Sequence, residues 1–199
     1  MKEKLNHILQ TEADAIRSIP QDQDFEGVVQ LLFTRIHQKG GKVIASGMGK
    51  AGQVANNLAT TFSSTGTPAV FLHPSEAQHG DLGVIRENDV LVVLSNSGKT
   101  REILELVYLS HQLHADLPVV LITGNPDGEL VGKATITLIT GSPKEVCPLG
   151  LTPTTSTTVM TVIGDAITVL LMEQIGFRAE DYARRHHGGY LGEKSRNST

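Results

Sequence analysis

The run Asp89-Val-Leu-Val-Val-Leu-Ser95-Asn96-Ser97-Gly98-Lys99-Thr100-Arg101-Glu102 decides the fold. Its apolar core is too short for a helix and shows no polar alternation, the pattern of a strand covered on both faces. A turn rich in hydroxyls follows at once and opens an amphipathic stretch. Four similar runs flank it: KVIAS (42–46), AVFLH (69–73), LPVVLIT (117–123) and TITLIT (135–140). Continuous apolar strands separated by helical crossovers imply a five-stranded parallel sheet in a three-layer, doubly wound α/β fold. Ahead of the sheet, Leu5, Ile8, Leu9, Ala13 and Ile16 recur at helical spacing up to Pro20. Val28, Val29, Leu31, Leu32 and Ile36 do so again up to Gly40-Gly41. Behind it, a long helix runs from Thr155 to Gln174 and stops at Gly176. The chain therefore reads as one domain over 1–199: helices in 1–38, an α/β core in 41–176, and a tail in 177–199 whose end, EKSRNST, is expected to fray.

Composition excludes several classes. Apolar residues make up 39% and charged ones 19%, unlike a disordered chain. Lys and Arg number 17 against 21 Asp and Glu, a net charge of −4, so no basic surplus points to nucleic acid. No apolar run approaches the ~18–20 residues that span a bilayer. The start, MKEKLNHILQTEADAI, mixes charge with apolar residues, unlike a signal peptide. A single cysteine, Cys147, rules out an internal disulfide and suits a reducing compartment, so a cytoplasmic location is expected.

In such sheets ligands collect beyond the carboxyl ends of the strands, so the residues after each strand carry the function. After the first comes Ser46-Gly47-Met48-Gly49-Lys50-Ala51-Gly52, which satisfies G-x-G-x-x-G. A dinucleotide site also needs an acidic residue at the end of strand two; Phe71-Leu72-His73-Pro74 offers none before Glu76. The glycines still expose backbone N–H groups to an anion, and Lys50 adds a positive charge. After the third strand, Ser95, Asn96, Ser97 and Thr100 form a neutral phosphate cradle. Helix capping needs one hydroxyl, and three are present. Glu102 follows in the first turn of the helix.

Between strands two and three, His73-Pro-Ser-Glu-Ala-Gln-His79-Gly-Asp81 holds two histidines six apart across a proline, a poor metal spacing, so His79 is read as lining a polar pocket. After strand five, Glu145 and Cys147 precede the hydroxyl cluster Thr152-Pro-Thr-Thr155-Ser-Thr-Thr158. Cys147 reads as an inert small hydrophobe, because only Lys144 lies near enough to favour a thiolate. Thr155 and its neighbours add donors for an anion. In the tail, His186-His187 precede Gly188-Gly189, whose tight backbone would fix where a ring points.

SNSGKTRE, with GMGK before it, resembles a sugar-isomerase (SIS) domain. The segments GMGKAG, STGTP, HPSEAQHGDLG, KEVCPLGLTPTTSTT, GDA and AEDYARRHHGG narrow the resemblance to the arabinose-5-phosphate isomerase subgroup, over residues 5–192. This resemblance implies a flavodoxin-like sheet and a homotetramer with sites shared between subunits. The reaction it implies interconverts D-ribulose 5-phosphate and D-arabinose 5-phosphate for synthesis of Kdo, the acidic sugar of lipopolysaccharide and some capsules. The family's functional lysine falls on Lys50, its carboxylates on Glu102 and Glu145, and its histidine on His186. Its phosphate-binding hydroxyls fall on Ser95, Ser97 and Thr100. Ser46, Gly47, Gly49, Asn96, His79 and Thr155 complete the expected site. Ala51 stands where the family usually has serine, and His187 where it has proline. Many members carry C-terminal CBS modules, and this chain is expected to act without them.

Isomerisation through an enediolate needs no redox cofactor and no metal. It needs a base, an oxyanion stabiliser and a group that exchanges protons between two oxygens. His186 and Glu102 are read as proton-transfer groups, Lys50 as the stabiliser, and Glu145 as an orienting or acid/base group. The alternatives are another phosphosugar isomerase, for instance on a heptose phosphate, and a non-catalytic SIS sensor of a sugar phosphate or CMP-Kdo. The first 38 residues are too short and too little basic for the DNA-reading domain that such sensors carry. CMP-Kdo could also act as a feedback ligand in the catalytic pocket.

Overall fold

The computed structural model describes residues 1–188, 190 and 194. Its strands are β1 (Val43–Gly47), β2 (Ala69–Phe71), β3 (Val90–Leu94), β4 (Val119–Thr123) and β5 (Ile136–Ile139). All pair in parallel, in the order β2-β1-β3-β4-β5. This is the flavodoxin-like doubly wound order, whose switch point lies between β1 and β3. Every residue of β1, β3 and β4 is buried, because successive side chains enter opposite layers and both layers are dry. Val43, Ala45, Val90, Val92, Leu94, Val120 and Ile122 face one core; Ile44, Leu91, Val93, Val119 and Leu121 face the other. Full burial of each such Val, Leu or Ile contributes about 1.5–3 kcal/mol, and the polar residues Ser46 and Thr123 come only at the carboxyl ends of β1 and β4.

Four helices cover the first face: α1 (Lys2–Arg17), α2 (Phe25–Leu32), α3 (Gly49–Ser64) and, later in the chain, α6 (Thr155–Ile175). The second face takes the one-turn α4 (Pro74–Ala77) and α5 (Arg101–Leu113). The structure differs from the sequence pattern at several points. The second amphipathic stretch leaves α geometry after Leu32 and continues as a π-helical turn over Phe33–Gln38, which keeps Ile36 in the core. β2 ends at Phe71 because His73 leads directly into Pro74, the first residue of α4. The β2–β3 connection contains only α4 and a 3₁₀ turn at Asp81–Val84. The tail contains a helix, α7 (Ala179–Arg185), started by the Asp181 carboxylate accepting the Arg178 N–H at 3.2 Å. Gly189 and, apart from Lys194, the end expected to fray lie outside the described residues.

One expectation needs correction. α6 is 21 residues long and contains an 18-residue stretch of mean hydropathy 1.5, long and apolar enough to cross a membrane by length and composition. Threonines, Gly164 and Asp165 interrupt its aliphatic residues and hide that property in the sequence. Half of the stretch is buried inside the protein, where Val159, Met160, Ile163, Ile167 and Leu171 join the first core.

Candidate active site

β1 and β3 are neighbours at the switch point, so the turns that leave them stand side by side. Between them lies a cavity of about 270 Å³. The β1–α3 turn contributes Met48, Lys50 and Ala51, and the β3–α5 turn Leu94, Ser95, Asn96, Ser97 and Thr100. Pro153, Ser156, Thr157 and Met160 close the third side.

The β3–α5 turn is braced from below. Gly124 N–H donates to Asn96 O at 3.1 Å, Leu130 N–H to Gly98 O at 3.0 Å, and Asn125 Nδ2 to Ser97 O at 2.9 Å. Gly98 has φ +63°, and a Cβ there would stand 2.9 Å from Gly128 Cα, so only glycine fits the bend. Ser95 is buried, and its hydroxyl shares a 2.7 Å hydrogen bond with that of Thr100. Thr100 is the N-cap residue of α5, yet its side chain makes no capping bond. The ordinary capping role thus does not account for this hydroxyl, which turns toward Ser95. On the opposite turn, α3 packs tightly on β1, since a Cβ on Gly52 would lie 2.5 Å from Gly47 O. That contact sets Lys50 at the start of α3, exposed and lining the cavity. Among the described residues its ammonium has no hydrogen bond or ion pair. A cation at a helix start opposes the macrodipole, and an anion in the cavity would relieve that.

The cavity therefore brings together Lys50, Ser95, Asn96, Ser97 and Thr100. Gly47 and Gly49 border a neighbouring hollow of about 350 Å³ with Gln53, Asn56, Phe71 and His73. Ser46 and Thr155, expected as phosphate donors, are fully buried. The Ser46 hydroxyl donates to Leu72 O at 2.6 Å. That of Thr155 accepts from Val146 N at 3.1 Å and donates to Glu12 Oε1 at 2.9 Å. Both hold elements of the fold together.

The remaining candidates do not line the cavity within one chain. Glu102 lies in the first turn of α5, half-buried, and makes no side-chain hydrogen bond or ion pair among the described residues. His79 is exposed between α4 and the 3₁₀ turn. His186 closes α7, its ring stacked on Tyr182 at 3.7 Å and 8°. Glu145 stands one contact behind the wall. Its carboxylate accepts from Thr154 N–H (2.7 Å), Thr154 Oγ1 (2.9 Å), Ser156 N–H (3.3 Å) and the Ser156 hydroxyl. Burial pushes the Glu145 carboxyl up, but these hydrogen bonds outweigh it and hold the group below the usual carboxylate value.

Ser156 and Thr157, read in the sequence only as part of a hydroxyl cluster, line the cavity, whereas Thr155, the member singled out, does not. Positions 153, 156, 157 and 160 form one helical stripe, while Thr155 lies on another face. The stripe is visible in the sequence, but which face of α6 meets the turns is not. Cys147 also departs from expectation. It is half-buried, and hydrogen bonds from the Thr152 side chain, then from the backbone of Thr152, Leu151 and Leu149, bring its thiol down to about 6. The Thr152 hydroxyl, joined by backbone donors that no residue count reveals, acts where a neighbouring cation otherwise would. Among the described residues, no group of three or more His, Cys, Asp or Glu is placed to hold a metal ion.

The SIS-domain family profile matches residues 35–170. The chain belongs to the SIS-domain family. Among solved structures, a Bacteroides fragilis protein described as a candidate phosphosugar isomerase involved in capsule formation superimposes with TM-score 0.94 and 57% identity, covering 96% of this chain and 99% of its own. An Escherichia coli CFT073 protein in complex with arabinose 5-phosphate superimposes with TM-score 0.83 and 33% identity, covering 92% and 95%. The arabinose 5-phosphate isomerase KdsD of Shigella flexneri is 49% identical over 154 residues, 77% of this chain and 46% of the relative. This SIS domain spans about half the length of the curated relatives it matches.

Proposed function

We propose that this SIS domain, over the whole of 1–199, is an aldose–ketose isomerase that interconverts D-ribulose 5-phosphate and D-arabinose 5-phosphate. One observation carries the reading: an uncharged cradle of Ser95, Asn96, Ser97 and Thr100 shares a cavity of about 270 Å³ with the Lys50 ammonium. Hydroxyls and backbone N–H groups suit a phosphate dianion, and Lys50 suits a second negative charge that develops during reaction. The similarity to KdsD isomerases and to a protein solved with arabinose 5-phosphate supports this substrate class.

A base removes the proton from the carbon beside the carbonyl, and the electron pair moves onto the carbonyl oxygen to give an enediolate. Lys50 stabilises that oxyanion. A second group then moves a proton between O1 and O2, and the first proton returns to the neighbouring carbon. We assign proton transfer to Glu102 and to His186 of a neighbouring subunit, since His186 does not line the cavity of its own chain. Glu145, held below the usual carboxylate value, fits an orienting anion better than an acid. Shared sites require assembly. Leu5, Leu9 and Val169, each more than half exposed on α1 and α6, support a homo-oligomer, which we take to be a tetramer. The product would feed Kdo synthesis in the cytoplasm, for lipopolysaccharide or capsule. CMP-Kdo would bind the same cavity as a feedback ligand, which calorimetry at millimolar ligand tests.

The deciding experiment incubates purified, chelator-treated protein with ribulose 5-phosphate and follows the sugar by NMR. Signals of an aldopentose phosphate are expected. A protein that binds the sugar phosphate without turnover would instead be a sensor, and faster turnover of a heptose phosphate would reassign the substrate.

A further inference from the structure

We propose that Glu12, on the amino-terminal helix, is a positioning residue for the wall of the catalytic cavity that carries Glu145; the inference rests on the isomerase reading above. The first turn of α6 presents three consecutive hydroxyl residues, and two carboxylates grip them alternately. Glu145 accepts from Thr154 and Ser156, and Glu12 Oε1 accepts from the intervening Thr155 at 2.9 Å. The same Thr155 hydroxyl receives the Val146 N–H at 3.1 Å, which anchors the peptide immediately after Glu145. A relay therefore runs from Glu12 through Thr155 to the backbone that aims Glu145. Ser156 links it to the cavity, since it lines that cavity and donates to Glu145.

The second Glu12 oxygen argues that this is more than a packing contact. Oε2 is enclosed and has no hydrogen-bond partner among the described residues. A polar atom enclosed without a partner is costly, and an aliphatic side chain would join α1 to α6 without that penalty. What an aliphatic side chain lacks is an acceptor for Thr155. With both Thr155 and Ser156 buried, an O–H that loses its acceptor has no water to turn to. It must reorient, and Val146 and Glu145 move with it.

The test measures kcat and KM with ribulose 5-phosphate, together with Val146 amide hydrogen exchange and the melting temperature, in the full chain. Glu12→Ala and Thr155→Val should each lower kcat about tenfold, as small misplacements of catalytic groups do, with KM changed less than about twofold. Val146 exchange should quicken in both. The double variant should be no slower than either single one, because both break the same relay. Glu12→Gln and Thr155→Ser, which keep the acceptor and the hydroxyl, should recover kcat to within about threefold. A folded Glu12→Ala protein with a lower melting temperature but wild-type kcat and unchanged Val146 exchange would overturn the proposal. So would losses that multiply in the double variant. An inactive wild type with a protected Val146 amide would defeat the isomerase reading instead.

Discussion

Truncation of Glu145 to alanine removes the acceptor for four hydrogen bonds at the start of α6: two from Thr154, at 2.7 and 2.9 Å, and two from Ser156, one at 3.3 Å. Loss of a helix cap costs about 1 kcal/mol. The Ser156 residue is 1% exposed, so its hydroxyl is left buried without an acceptor, at about 1–3 kcal/mol more. The sum, about 2–4 kcal/mol, corresponds to a melting temperature lower by about 5–12 °C for a chain of this size. Glu145→Gln keeps an acceptor oxygen but removes the charge at the helix start, and should cost only about 1 kcal/mol. The pH dependence follows from the lowered carboxyl. Its stabilisation is complete above the ordinary carboxylate value and is lost as pH falls through the depressed one. The difference between wild type and Glu145→Gln should therefore shrink as pH falls below the ordinary carboxylate range. Thermal melts followed by circular dichroism at neutral and acid pH measure both effects. Glu145→Ala melting within about 1 °C of wild type at neutral pH would show that the carboxylate does not hold α6.

Lys50→Ala should fold normally, because the side chain is exposed and has no partner among the described residues, yet lose about 10²–10³-fold in kcat, a loss read in the NMR assay. Gly98→Ala places a Cβ 2.9 Å from Gly128 Cα at φ +63°; strain of about 1–3 kcal/mol should loosen the cradle and raise KM more than it lowers kcat. Cys147, the single cysteine, should react with iodoacetamide with a midpoint near pH 6, where an ordinary thiol would show about 8.5, and Thr152→Val should shift that midpoint upward. Ser97→Ala and Thr100→Val should weaken inorganic phosphate binding in calorimetry, each by about 1 kcal/mol, without lowering the melting temperature comparably.

The three inner strands were legible because burial on both faces favours an almost continuous apolar run. Val90 through Leu94 reads as a central strand from composition alone. That Ser95, Ser97 and Thr100 share one cavity was legible for a related reason: they exceed what capping requires, and the Thr100 hydroxyl makes no capping bond on α5. The same logic failed for Ser46 and Thr155. A hydroxyl near a ligand-bearing turn looks alike whether it faces the ligand or binds the backbone, and both of these are buried. Cys147 failed for another reason, since the Thr152 hydroxyl and the backbone N–H groups beside it reach the thiol only through the path of the loop.

Residue order and type were enough to establish the layers, the parallel sheet and the turns on which anion-binding chemistry would sit. Solvent exclusion and chain stiffness act locally, and they leave their mark in composition. Which face of α6 turns inward is a different matter, because it depends on contacts between segments more than a hundred residues apart. The Glu12–Thr155 bond spans 143 positions. Folding alone sets Ser156 and Thr157 opposite Lys50 and places Glu145 behind that wall, because those distances arise from packing and not from spacing along the chain.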